Sequence, residues 1–135
     1  KQAYRPLLPD VRHIRFNYFE DLQHISSRTA CVIVEPIQGD AGVRIATNKW
    51  LHALRKKCDE HCVLLIFDEI QCGMGRTGKL FAFEHYGVVP DILTIGKAFG
   101  GGLPIGAFIA DKRLMKTLTY DPPLGHITTV GGNPV

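Results

Sequence analysis

Four short apolar runs set the first limit on how this chain folds: CVIVEP (31–36), VLLIF (63–67), DILTIG (91–96) and IGAFIA (105–110). All four read as strands; CVIVEP is a continuous run, as expected of a strand buried on both faces, and VLLIF reads as a second buried strand. Pro36, Asp68, Gly96 and Asp111 punctuate their ends. Between the first two runs, Trp50, Leu51, Leu54, Cys58 and Cys62 recur at spacings of three and four. That period predicts an amphipathic helix from Thr47 to about His61, with both cysteines on its core face. Strands alternating with helices predict an α/β layered domain with a mostly parallel sheet flanked by helices. The fourth run follows the third after a loop of about eight residues. A parallel crossover takes a dozen or more, so the fourth strand is expected to run antiparallel or to sit elsewhere in the sheet.

The remaining segments are shorter elements and connections. Pro6 and Pro9 exclude a long helix from residues 1–19. Glu20 to Ser27 can form a short helix with Leu22 and Ile25 on one face, and PIQGDAGVRI reads as a loop. Residues 79–87 read as a helix or turn, and Asp111 is placed to cap a helix running to about Leu118.

Composition narrows the function classes. The chain has 135 residues, 45% hydrophobic and 21% charged, enough for one soluble domain with a core and short for two. Its 16 basic and 13 acidic residues are scattered, which gives no support to a nucleic-acid or membrane-surface role. No run approaches the roughly 18 apolar residues of a membrane span. Four cysteines without framework spacing point to a reducing compartment, and so to the cytoplasm. The chain starts at Lys1 and ends on Asn133-Pro134-Val135, a helix start with no helix after it. The expectation is a portion of a longer protein.

Ligands gather at the carboxyl ends of strands in such sheets, where Glu35, Asp68 and Gly96-Lys97 fall. Lys97 has no other charged residue near it between Ile92 and Ala110. An amine kept in apolar surroundings loses the water that favours its ammonium form, and the neutral form is the one that attacks a carbonyl. A carboxylate such as Asp68 can hold a proton on a ring nitrogen. Glu69, on the opposite face by strand alternation, is expected to add little.

Two other motifs carry less. Gly73 to Lys79 fits the phosphate-cradling spacing G-x-x-x-x-G-K. However, Leu80 replaces the metal-binding hydroxyl, and Asp68 and Glu69 would repel phosphates at the mouth of that loop. Cys58, His61 and Cys62 share a helix end, but no second ligand pair completes a tetrahedral metal site.

VIVEPIQGDAGV (32–43), the stretch IFDEIQCGMGRTGKLFAFEHYGVVPDILTIGKAFGGGLPIGAF (66–108) and HITTVGGNP (126–134) resemble class III pyridoxal-phosphate aminotransferases, nearest the acetylornithine and ornithine group. The resemblance implies a fold type I large domain, here without its preceding segment and its small C-terminal domain. It implies transamination between an amino acid donor and a 2-oxo acid acceptor in a homodimer. Lys97 would bond covalently to the cofactor and then move a proton at the substrate's alpha carbon. Asp68 would pair with the pyridinium nitrogen and Gln71 with the ring's 3-oxygen. Thr129 would reach the cofactor phosphate of the neighbouring subunit, Thr128 would lie beside substrate, and Glu35 would line the pocket. Asp40 stands where ornithine-type enzymes often carry Glu, part of a gate on the arginine that binds the substrate carboxylate, and its side chain is one methylene shorter.

Overall fold

The computed structural model describes residues 9–120. Its strands are β1 (Cys31–Val34), β2 (Ile37–Gln38), β3 (Arg44–Ile45), β4 (Leu64–Asp68), β5 (Ile92–Ile95) and β6 (Ala107–Ala110). The helices are α1 (Asn48–Glu60) and α2 (Lys112–Thr117). One four-stranded sheet has the order β1-β4-β5-β6, and β2 and β3 form a separate hairpin. β1, β4 and β5 pair in parallel, whereas β6 runs antiparallel to β5. The β5–β6 loop is too short to carry the chain back along the sheet, as its sequence length predicts.

Helix α1 fills one face of this sheet. Trp50, Leu51, Leu54 and Cys58 are buried on it, opposite Leu65 and Phe67 of β4 and Leu93 and Ile95 of β5. Thr47 caps its start by accepting from the Trp50 amide at 3.3 Å. The Trp50 indole N–H donates to the Tyr18 carbonyl at 3.2 Å, and the Phe16 ring lies 5.3 Å from the indole. These contacts tie the irregular N-terminal segment to the helix. Arg55, on the same helix, donates to Asp91 Oδ2 at 2.8 Å. The same oxygen accepts from the Leu65 amide at 2.7 Å, so Asp91 locks α1 to the starts of β4 and β5.

Two expectations from the sequence are corrected. Cys62 is exposed, because the helix stops at Glu60 and Cys62 turns the chain with φ +55°. The Val63 amide then donates to the Cys58 carbonyl at 2.9 Å, closing the helix end as the chain enters β4. Cys58 stays in the core, where burial pushes its thiol up to about 11. β1 is not buried on both faces either. Val32 and Val34 pack on the core side, whereas Cys31 and Ile33 are exposed. Among the described residues no element covers the second face there.

A third expectation is corrected at PIQGDAGVRI, where the chain forms the β2–β3 hairpin rather than a plain loop; the other short elements form as the sequence predicts. Glu20–His24 is a 3-10 turn with Leu22 buried and Ile25 buried just beyond it. Ala82–His85 is a second such turn, and Asp111 caps α2 through the Arg113 amide at 2.7 Å. Among the described residues no helix is long and apolar enough to cross a membrane.

Asp21, buried in the first 3-10 turn, accepts from the Arg15 guanidinium at 2.6 Å and from the Arg15 amide at 2.7 Å. Those bonds favour its charged form and hold its carboxyl at about 2, below the ordinary 3.8. A depressed folded value contributes stability above the unfolded value and loses it as pH falls through the folded one. Chemical denaturation between pH 4 and pH 2 is therefore expected to show a loss of stability that Asp21→Asn flattens. An unchanged slope in that variant would remove the clamp from the account.

Candidate active site

Three loops leave the carboxyl edge of the sheet side by side. The loop after β1 carries Glu35 and the small hairpin, whose turn runs from Gly39 to Val43. The loop after β4 begins at Asp68 and carries Gln71, and the loop after β5 begins at Gly96. Their adjacency follows from the strand order, since β1, β4 and β5 are neighbours.

Asp68 is the last residue of β4 and pairs in register with Thr94 of β5. Its Oδ1 accepts from the Thr94 hydroxyl at 3.3 Å and from the Ile70 amide at 3.1 Å. Oδ2 receives no hydrogen bond among the described residues. The carboxylate is therefore held by one oxygen with the other left for a further donor. Thr94 had no place in the sequence reading, because its position opposite Asp68 is set by the strand register rather than by the strand ends.

Lys97 lies three positions beyond Thr94, in the 3-10 turn Lys97–Gly100. Its Nζ donates to Gln71 Oε1 at 2.6 Å. Its φ is +44°, in a region that non-glycine residues seldom occupy and that recurs at functional sites. Gly101 and Gly102, also at positive φ, carry the chain out of this turn. The amine itself is exposed, which corrects the expectation that apolar neighbours enclose it. The apolar residues of the loop, Phe99, Leu103 and Ile105, are themselves exposed and form no wall around it.

Glu35 Oε2 accepts from the Gly39 amide at 3.3 Å, and Gly39 in turn packs against the Gln71 side chain. Glu35, Gln71 and Lys97 are thus joined through one glycine, with Asp68 on the strand between them. Asp40 is exposed at the hairpin turn. Thr128 and Thr129 lie outside the described residues.

Glu69 does more than alternation suggested. It points away from Asp68, as expected, but into the core, where it is 1% exposed. Its two oxygens accept from the Ala82 and Phe83 amides at 2.6 and 2.8 Å, capping the 3-10 turn Ala82–His85. Burial pushes its carboxyl up, while the two amide donors oppose that shift. The glycine-rich segment between Glu69 and this turn is consequently pinned at both ends. Lys79 within it donates to the Glu84 carbonyl at 3.0 Å, and a 3-10 turn rather than an α-helix follows. The phosphate-cradling reading lacks the helix start on which such loops depend. Among the described residues no cluster of His, Cys, Asp or Glu is arranged to hold a metal ion.

The donor set suits a pyridine aldehyde. It offers a reachable primary amine, an anion with one uncommitted oxygen, and an amide group beside the amine.

Comparison with known proteins gives the family. The family model described as aminotransferase class-III matches residues 4–135. Acetylornithine aminotransferase of Methanocaldococcus jannaschii is 48% identical over 136 residues, covering 100% of this chain and 33% of that protein. Succinylornithine transaminase of Salmonella typhi is 51% identical over 135 residues, covering 99% of this chain and 32% of that protein. Among solved structures, N-acetylornithine aminotransferase from Stenotrophomonas maltophilia superposes with a TM-score of 0.74 at 47% identity, over 78% of this chain and 30% of that one. An ornithine aminotransferase from Toxoplasma gondii, described with partial occupancy of PLP at its active site, gives 0.85 at 37% identity, over 97% and 31%. The chain spans about a third of the length of the curated relatives it matches.

Replacing Glu69 tests the frame beneath the site. Glu69→Ala leaves two backbone N–H groups without their acceptor, and a loss of roughly 3 kcal/mol is expected in urea unfolding. Glu69→Gln, which keeps an acceptor oxygen and the side-chain volume, is expected to lose less. Equal stability of Glu69→Ala and the parent would contradict the capping role.

Proposed function

The chain belongs to the class-III aminotransferases, and from that premise we propose that it forms part of the cofactor-binding large domain of an amino-group transferase. The reaction is transfer from an amino acid donor to a 2-oxo acid through pyridoxal phosphate. The observation that carries this reading is the 2.6 Å contact of Lys97 Nζ with Gln71 Oε1, on the sheet edge where Asp68 ends β4.

When bound, pyridoxal phosphate supplies an electron sink for the substrate carbon that bears the reacting amine and a carrier for the amino group. Lys97 would anchor it through Nζ and, when free, would take and return the proton at the substrate carbon that bears the transferred amine. Exposure of Nζ keeps it within reach of an incoming carbonyl. Asp68 keeps a proton on the ring nitrogen, since an anion beside a cationic ring favours the charged form of both. Thr94 and the Ile70 amide restrain its Oδ1, which leaves Oδ2 for that proton. Gln71 would hold the cofactor's 3-oxygen, its amide nitrogen being free, among the described residues, to donate while Oε1 accepts from Lys97. Glu35 borders the pocket from the β1 loop.

The donor carries an omega-amino group, as ornithine and its acylated forms do. The names of the similar proteins support that choice. Asp40 at the hairpin turn is the substrate-side residue of this reading, with Thr128. Thr129 serves the phosphate of the neighbouring subunit in a cytoplasmic homodimer. Residues 1–135 alone lack transaminase activity in this reading, because the rest of the large domain and the small domain complete the site.

The test is covalent trapping. Pyridoxal phosphate is added at low excess, reduced with borohydride, and the modified peptide mapped by mass spectrometry. Modification confined to the peptide bearing Lys97, and lost in Lys97→Ala, is expected. Labelling spread evenly over the lysines, or unchanged in that variant, would overturn the assignment.

A further inference from the structure

Gly39 touches the site without having any polar side chain to offer it. Its backbone is fixed from both sides. The amide donates to Glu35 Oε2 at 3.3 Å, and the carbonyl accepts from the Gly42 and Val43 amides at 3.2 and 3.1 Å. A methyl group built on its alpha carbon would collide with the Gln71 Nε2 atom and lie 2.6 Å from Gln71 Cδ, closer than carbon atoms pack. The turn that holds Gly39 cannot retreat without giving up those three hydrogen bonds. Gln71 is the end of a flexible side chain, so Gln71 is the partner that must move. Its Oε1 is the atom to which Lys97 Nζ donates at 2.6 Å.

We propose that Gly39 is a positioning residue for the Lys97 amine, acting through Gln71. The missing side chain lets the β1 loop close against the β4 loop, and this closure sets where the Gln71 amide meets Lys97. Glu35 contributes by anchoring Gly39 rather than by touching the reacting atoms. The inference rests on reading Lys97 as the lysine that bears the cofactor.

A double-substitution cycle in the full-length enzyme separates a role through Gln71 from a merely structural one. Apo-proteins carrying Gly39→Ala, Gln71→Ala and both are titrated with pyridoxal phosphate. The dissociation constant and the absorbance maximum of the bound cofactor are read, with the unfolding midpoint of each apo-protein alongside. Gly39→Ala is expected to weaken binding about tenfold, the scale of one lost hydrogen bond. It is also expected to move the absorbance maximum in the same direction as Gln71→Ala. The double variant should match Gln71→Ala alone. Losses that add in the double variant, or wild-type binding by Gly39→Ala, would overturn the proposal. Should Gly39→Ala fail to fold, the double variant, relieved of the collision, is expected to fold and bind like Gln71→Ala, and its failure would also overturn the proposal. Lys97→Ala serves as the control. If it binds cofactor as tightly as wild type, the reading of the whole site falls. If it does not and Gly39→Ala does, only the role of Gly39 falls.

Discussion

The rung that pairs Asp68 with Thr94 is the constraint on which the arrangement depends. It is the last position of the parallel ladder between β4 and β5, and it fixes the register of both strands at the sheet edge. Slipping that register by one residue would turn Asp68 to the opposite face and carry Lys97 out of step with Gln71. The register is held from below by apolar burial, because Phe67 and Leu93 pair one step earlier and both lie in the core under α1. It is held at its base by Asp91, which ties Leu65 and Arg55 together. Packing on one side of the sheet thereby fixes polar geometry at its edge.

Neighbouring carboxylates divide the work by environment. Glu69 is buried with an amide donor on each oxygen, and it holds a loop in place. Asp68, one residue earlier and on the opposite face, is only half-buried and keeps an oxygen uncommitted. A buried carboxylate without donors would be costly, so the 3-10 turn at Ala82–His85 and Glu69 require one another. This requirement ties the glycine-rich segment down at both ends, between Glu69 and that turn.

The layered fold and the parallel pairing were legible in the sequence, because apolar runs and loop lengths report burial and reach directly; loop length left the last strand antiparallel or elsewhere in the sheet, and the structure makes it antiparallel to β5. The placement of Asp68 and Lys97 at the carboxyl edge of the sheet was legible because charges stand out at the ends of apolar strands. Cys62 was misread because a periodic pattern continues past the point where the backbone stops being helical. Ile33 was misread because a uniformly apolar strand does not reveal which neighbour covers which face. The exposure of Lys97 was missed because its apolar neighbours lie along the loop rather than around the amine. Thr94, Glu69 and Gly39 carried no signal of their own. Each acts through a partner distant in the chain, and only strand register and loop packing bring those partners together.

The most direct test of this account is a crystal structure of the full-length enzyme grown with pyridoxal phosphate. The account predicts electron density continuous from Lys97 Nζ into the cofactor, with an Asp68 oxygen about 3 Å from the ring nitrogen. Density joining the cofactor to a different lysine, or a ring whose nitrogen faces away from Asp68, would contradict it.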